Sequence, residues 1–345
     1  MTKPEIPQNS NDMPPSMVIL QLITSYRISQ SIYVVAKLGI ADLLKDSPKS
    51  TQELALATGT HAPSLYRVLR ALASVGMFAE DSQGRFGLTP LAVCLQSDID
   101  DSMRASAIVR GEDFYRKPWG HLLHSVKTGE TAFRHVYNLE FFDYLAQNPD
   151  AAEMFDGAMT NYSTTVVDAV IAAYDFSSIG KLVDVGGGQG SLLAGILKAY
   201  PTMQGVLFEQ ASAIEHAKPL LEAQGVIERC QLVAGNFFAS LPTTGDAYIM
   251  KNIIHDWDDE RAVAILKNCY RAMPENGKLL LVEGVIFPGN EPSFSKLLDL
   301  EMLVLTGGRE RTQAQHRDLL QSAGFHLTKI VPTASWQSII EAVPV

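Results

Sequence analysis

The chain has little that would tie it to an oxidising compartment, a membrane or nucleic acid. Its 345 residues include only three cysteines, Cys94, Cys230 and Cys269, far apart and without a CxxC pair. That excludes a disulfide framework and a cysteine zinc site, and fits a reducing compartment. No apolar run reaches the roughly 18 residues that a membrane span needs. Met1–Pro15 is polar and proline-rich and lacks the apolar stretch of a signal peptide, so a loose tail on a cytoplasmic protein is expected. Positive charge is also scarce. With 28 Lys and Arg against 38 Asp and Glu, the formal net charge of −10 has the wrong sign for gripping phosphate backbones. What is present, 46% hydrophobic and 19% charged residues without internal repeats, is a globular chain long enough for two cores.

Beyond the tail at 1–15, three regions separate by pattern. In 16–96, Ser50-Thr-Gln-Glu53 is a capping box opening a helix that Gly59 closes. Leu65, Val68, Leu69 and Leu72 then recur at helical spacing, and Phe78–Glu80, the turn Asp81–Gly84 and Arg85–Thr89 read as a hairpin. Two helices and a hairpin make a winged-helix module. Region 97–173 is helical and rich in aromatic residues, most of which are expected to pack as core, with a few lining a pocket for a flat ligand. Region 174–345 alternates strands and helices: Lys181–Val185, Gly205–Glu209, Gln231–Ala234, Ala247–Lys251 and Lys278–Val285. This α/β pattern predicts a doubly wound, largely parallel sheet. The last strands, Leu327–Val331 and Gln337–Ala342, are too close for a crossover helix and must form an antiparallel hairpin.

The first of these strands runs into Gly186-Gly-Gly-Gln-Gly190, and an apolar helix pattern follows at once. Glycines let backbone approach a nucleotide where a Cβ would hold it off. The spacing departs from the dinucleotide fingerprint, because Ser191 stands where its third glycine is required. Asp184-x-Gly-Gly-Gly-x-Gly is instead a form used for S-adenosylmethionine. Reading the other strand ends gives Glu209, placed to accept ribose hydroxyls, Asn236 and Phe237 for an adenine edge and face, Lys251, and Glu283. His255, just past the fourth strand, is a candidate general base, with Glu283 and Glu310 as available carboxylate partners. Asp256, Asp258 and Asp259 look like metal ligands but read better as the cap and acidic first turn of a helix.

These residues resemble the cation-independent small-molecule O-methyltransferases, a family of class I S-adenosylmethionine-dependent enzymes. The likeness runs from about Met17 to the C-terminus, through Leu182–Gly190, Lys251–Asp259, Leu281–Pro288 and Gly307–Thr312. The resemblance implies that region 16–96 is a dimerisation domain, 97–173 a substrate-pocket region and 174–345 the cofactor domain. It implies His255 as base, flanked by Glu283 and Glu310, and no metal. Ser163, Asp184, Gly186, Gly188, Glu209, Asn236, Phe237 and Lys251 would meet the cofactor. Phe155, Met159, Tyr162, Asn252 and Asp256 would meet an aromatic or polyketide-like acceptor. Members often carry Asp where this chain has Glu209 and Asn236, and plant members a histidine where it has Tyr162, which points to a bacterial type. A homodimer in secondary metabolism follows. Two other readings compete: a relative using the fold for hydroxylation or pericyclic chemistry, which tends to lose the base constellation, and a winged-helix DNA-binding regulator, which the acidic charge opposes.

Overall fold

The computed structural model describes residues 13–99 and 101–345, except for the side chains of 160–165. It divides into two compact units, one ending at Glu112 and one from Asp113 to Val345. Most of the expected tail therefore lies outside the described residues. No helix among the described residues is long and apolar enough to cross a membrane.

In the first unit the capping box forms as read. Glu53 N–H donates to the Ser50 hydroxyl, Ser50 N–H donates back to Glu53 Oε2 at 2.7 Å, and Gly59 ends the helix Thr51–Thr58 at φ +66°. Helix Ala62–Ala73 buries Leu65, Leu69 and Leu72. Strands β1 (Lys49–Ser50), β2 (Phe78–Glu80) and β3 (Arg85–Leu88) make an antiparallel sheet ordered β1-β3-β2. Two residues are too few to show an alternation, so β1 was not legible. The unit also extends past the expected boundary at residue 96. Helix Arg104–Gly111 packs on helix Tyr26–Lys37, where a Cβ at Gly111 would sit 2.1 Å from the Tyr33 ring. A helical pattern alone does not say which core a helix joins.

The second unit starts with helices. Phe133 contacts Tyr137, Phe141 and Tyr144 with ring centroids 4.8 to 5.4 Å apart, so these aromatics are helix packing. The sheet follows: β4 (Lys181–Val185), β5 (Gln204–Glu209), β6 (Cys230–Ala234), β7 (Ala247–Lys251), β8 (Lys278–Ile286), β9 (Arg311–Thr312), β10 (Phe325–Pro332) and β11 (Gln337–Pro344). Its order is β10-β11-β8-β7-β4-β5-β6, with β9 beside β8. Strands β4 to β9 pair in parallel, whereas β11 is antiparallel to both β8 and β10.

Successive strand residues face opposite sides, and here both sides are covered. Leu182, Leu207 and Ile249 enter one core, and Val183, Phe208 and Met250 the other. The chain builds outward from β4 through β5 to β6, then returns to lay β7 on the other flank. That reversal opens a crevice outside the carboxyl ends of β4 and β7, where ligands of such sheets bind. The glycine turn and the His255 turn both start there.

Candidate active site

The cofactor side is built on the end of β4. Gly186, Gly188 and Gly190 have φ of +69°, +57° and +80°, a region costly for residues with a Cβ. A Cβ at Gly186 would lie 2.5 Å from Ile253 Cδ1, and one at Gly187 would lie 2.5 Å from Asp184 Oδ2. At Gly188 it would meet nothing within 4 Å among the described residues, so backbone there is open to a ligand. Both carboxyl oxygens of the buried Asp184 lack a hydrogen bond among the described residues. Burial lifts its pKa to about 7 against the pull of Lys251, whose own pKa burial pushes down. Glu209, its pKa raised by burial, accepts from Gly188 N at 3.1 Å and Gln210 N at 2.7 Å, leaving lone pairs for a diol. Phe237 packs edge-on to Trp257, 6.1 Å between centroids. Asn236 Oδ1 accepts from Phe238 N at 2.8 Å, an Asx turn. An unpaired buried acid, an open glycine cradle and a second carboxylate fit a nucleoside with a cationic amino-acid end.

The base side is a buried cluster. His255 donates through Nδ1 to Glu310 Oε1 at 2.6 Å, which fixes the ring and leaves Nε2 as the acceptor in the neutral form. Nε2 has no hydrogen bond among the described residues, and Asp256 Oδ1 stands 3.8 Å from it. Burial opposes charge on the imidazole, but Asp256 and Glu310, the Glu310 hydrogen bond and Glu283 outweigh it and hold the pKa at about 10. Burial likewise lifts Asp256 to about 6 and Glu283 to about 7, each moderated by the His255 charge.

Glu283 Oε1 accepts backbone N–H of Ile254 at 2.7 Å and of His255 at 3.1 Å, so its hydrogen bonds go to the turn that carries the ring, while its charge adds to those raising the His255 pKa. Its place on β8, next to the end of β7, puts it level with the amides of that turn. Asp258 caps the helix Asp259–Ala272 by accepting from Arg261 N at 2.8 Å, the structural role read from sequence. No group of His, Cys, Asp and Glu is arranged to hold a metal ion among the described residues.

On the acceptor side, Phe155 packs edge-on to Phe141 at 5.2 Å, and Met159 lies half-buried one turn along the same helix. The side chains of Tyr162 and Ser163 lie outside the described residues. Asn252 has φ +55° and accepts from Gln337 Nε2 at 2.7 Å, a contact that sequence did not show. Arg311 was also missed. It is 1% exposed and donates to Ile254 O, Trp257 O, Arg309 O and Asp259 Oδ1, at 2.8 to 3.3 Å. The signal available was the capping box Thr312–Gln315 just after it, which pins this segment to a helix start.

The model of the O-methyltransferase dimerisation domain matches residues 20–98, and that of the O-methyltransferase domain residues 119–326. The chain is 49% identical over 333 residues to phenazine O-methyltransferase PhzM of Lysobacter antibioticus, covering 96% of this chain and 97% of that one. It is also similar to the crystal structure of LaPhzM, with TM-score 0.93, 49% identity, and 96% and 100% of the two chains covered. A third likeness is to NcsB1, an O-methyltransferase from neocarzinostatin biosynthesis, in complex with S-adenosylmethionine and 2-hydroxy-5-methyl naphthoic acid. There the TM-score is 0.82 at 32% identity, covering 94% of this chain and 98% of that one.

Proposed function

The chain belongs to the O-methyltransferase family, and on that premise we propose that it methylates a hydroxyl of a flat aromatic or polyketide-like molecule, with S-adenosylmethionine as donor, His255 as base and no metal. The observation carrying this reading is the buried Nδ1–Glu310 hydrogen bond, which leaves Nε2 as the ring nitrogen free to take a proton. The relatives support an aromatic acceptor: one is named for phenazines, another holds a naphthoic acid.

The cofactor supplies an activated methyl on a sulfonium that is already a good leaving group, so proton removal and alignment are left to the protein. Asp184, Gly186, Gly188, Glu209, Asn236, Phe237, Lys251 and Ser163 hold the cofactor. Phe155, Met159, Tyr162, Asn252 and Asp256 hold the acceptor. His255 Nε2 takes the hydroxyl proton, and Glu310 stabilises the imidazolium that results. The surrounding carboxylates raise the proton affinity of the imidazole, so its neutral form, populated as pH rises, is a strong enough base for a phenol, which titrates near ~10. Alignment contributes on the order of 7–11 kcal/mol, and base assistance about 10²–10⁴-fold in rate. A lone pair on a ring nitrogen needs no such base, which favours oxygen over nitrogen as the target.

The reading includes a homodimer through the first unit. Its helix Pro15–Thr24 buries no residue, and Ile19, Leu22 and Ile23 are more than half exposed. Sedimentation of the purified protein as a monomer contradicts that part. The test of function is incubation with methyl-labelled S-adenosylmethionine and a panel of hydroxyphenazines, hydroxynaphthoates and polyketide phenols. Label on a product oxygen is expected. An altered product without label favours the hydroxylase or pericyclase reading, and tight, salt-sensitive duplex binding in a gel shift favours the regulator.

A further inference from the structure

Four consecutive residues, Gly308 to Arg311, grip the turn that carries His255. A Cβ at Gly308 would lie 1.9 Å from His255 O, so only glycine permits this approach. Arg309 N–H donates to His255 O at 2.8 Å, and Glu310 accepts from the ring. Arg311 closes the grip, reaching Ile254 O at 3.1 Å and Trp257 O at 3.0 Å, one carbonyl on each side of His255. The segment is itself anchored, since Arg311 pairs with Val285 two residues beyond Glu283 on β8.

A buried guanidinium is expensive unless fully paired, and stability alone is often served as well by apolar side chains. Here the planar fork is used in full. Nε and Nη2 meet Asp259 Oδ1, Nη1 also meets Arg309 O, and the Asp259 side chain remains more than half exposed. The ammonium of a lysine has three donors radiating from one point and does not bridge acceptors spread this way. We propose that Arg311 is a positioning residue, locking the Ile254–Trp257 turn onto residues 308–310 so that the His255–Glu310 hydrogen bond keeps its geometry. The catalytic meaning of that lock rests on His255 being the base, but the lock can be tested without it.

The test is ¹⁵N NMR of histidine-labelled, ligand-free protein, with the His255 resonances assigned by their loss in His255→Gln. The charged groups around the imidazole are Asp256, Glu283 and Glu310. Arg311→Lys retains the local charge and removes only the fork. The His255 midpoint is expected to fall by about one unit or more, the size of effect a lost charge-assisted hydrogen bond produces. A merely structural Arg311 lowers the melting temperature and leaves that titration in place, and such a result in a folded variant overturns the proposal. If Arg311→Lys does not fold, Asp259→Ala loosens the same guanidinium from an exposed site whose charge is not among those acting on His255. A smaller shift in the same direction is expected there, and no shift overturns the proposal.

Discussion

Glu310 accepts the Nδ1 hydrogen of His255 at 2.6 Å with both side chains buried. This contact fixes the tautomer, aims Nε2 away from the protein's own carboxylate partner, and stabilises the charged ring. Burial opposes the charge, but Asp256, Glu310 and Glu283 together outweigh it, and the folded imidazole titrates at about 10, well above the ~6.5 of an unperturbed one. The stability it contributes is therefore fully present below about pH 6.5 and is lost as pH rises through about 10.

Glu310→Gln removes the charge and weakens the hydrogen bond. Turnover is expected to fall about 10–1,000-fold, and the limb of kcat/KM that rises with pH should move to lower pH. The stability difference from the parent protein should shrink between pH 7 and 10. An unmoved limb in pH–rate profiles contradicts the pairing.

Asp184 titrates at about 7 in the folded protein and near ~3.9 when unfolded. Its contribution is thus greatest below about pH 4 and is lost as pH rises through about 7. Chemical denaturation of ligand-free Asp184→Asn should show a gain over the parent protein that grows by roughly 1–3 kcal/mol from pH 4 to pH 8. Calorimetric affinity for S-adenosylmethionine should fall in the same variant. A gain independent of pH is the contrary result.

Gly186→Ala and Gly188→Ala separate folding from binding. Both force a left-handed residue, at about 1–2 kcal/mol, but only Gly186→Ala also clashes, with Ile253. It should melt lower than Gly188→Ala. Gly188→Ala should remain folded and still lose cofactor affinity, because its new methyl enters the open cradle. Full affinity in Gly188→Ala places the cofactor elsewhere.

Asp258→Ala tests the acidic run after His255. Loss of the cap should cost about 1 kcal/mol and leave turnover unchanged, with or without EDTA. Turnover abolished by chelation and restored by a divalent cation contradicts the metal-free reading.

Much of this was legible because it is local or periodic. The capping box at Ser50, the wing turn at Asp81–Gly84 and the strands β4 to β8 follow from spacing and turn chemistry. The glycine cradle follows from a backbone need that only one residue type meets. The rest depends on register across neighbouring elements. Glu283 and Glu310 look alike in sequence, yet one meets amides and the other a ring, which only the pairing of β8 with β7 and β9 decides. Arg311 carries no local sign of its burial, which depends on carbonyl acceptors brought from the His255 turn. Asn252 gives no sign of its left-handed backbone or of Gln337, which arrives from the far end of the chain.

The central claim is that His255 removes a hydroxyl proton within a preformed cofactor site. It is tested most directly by His255→Gln, measuring calorimetric affinity for S-adenosylmethionine together with single-turnover methyl transfer to a phenol that the parent protein methylates. The account predicts unchanged affinity and transfer slower by about 10²–10⁴-fold. Transfer at close to the parent rate, with the label on the same oxygen, contradicts it.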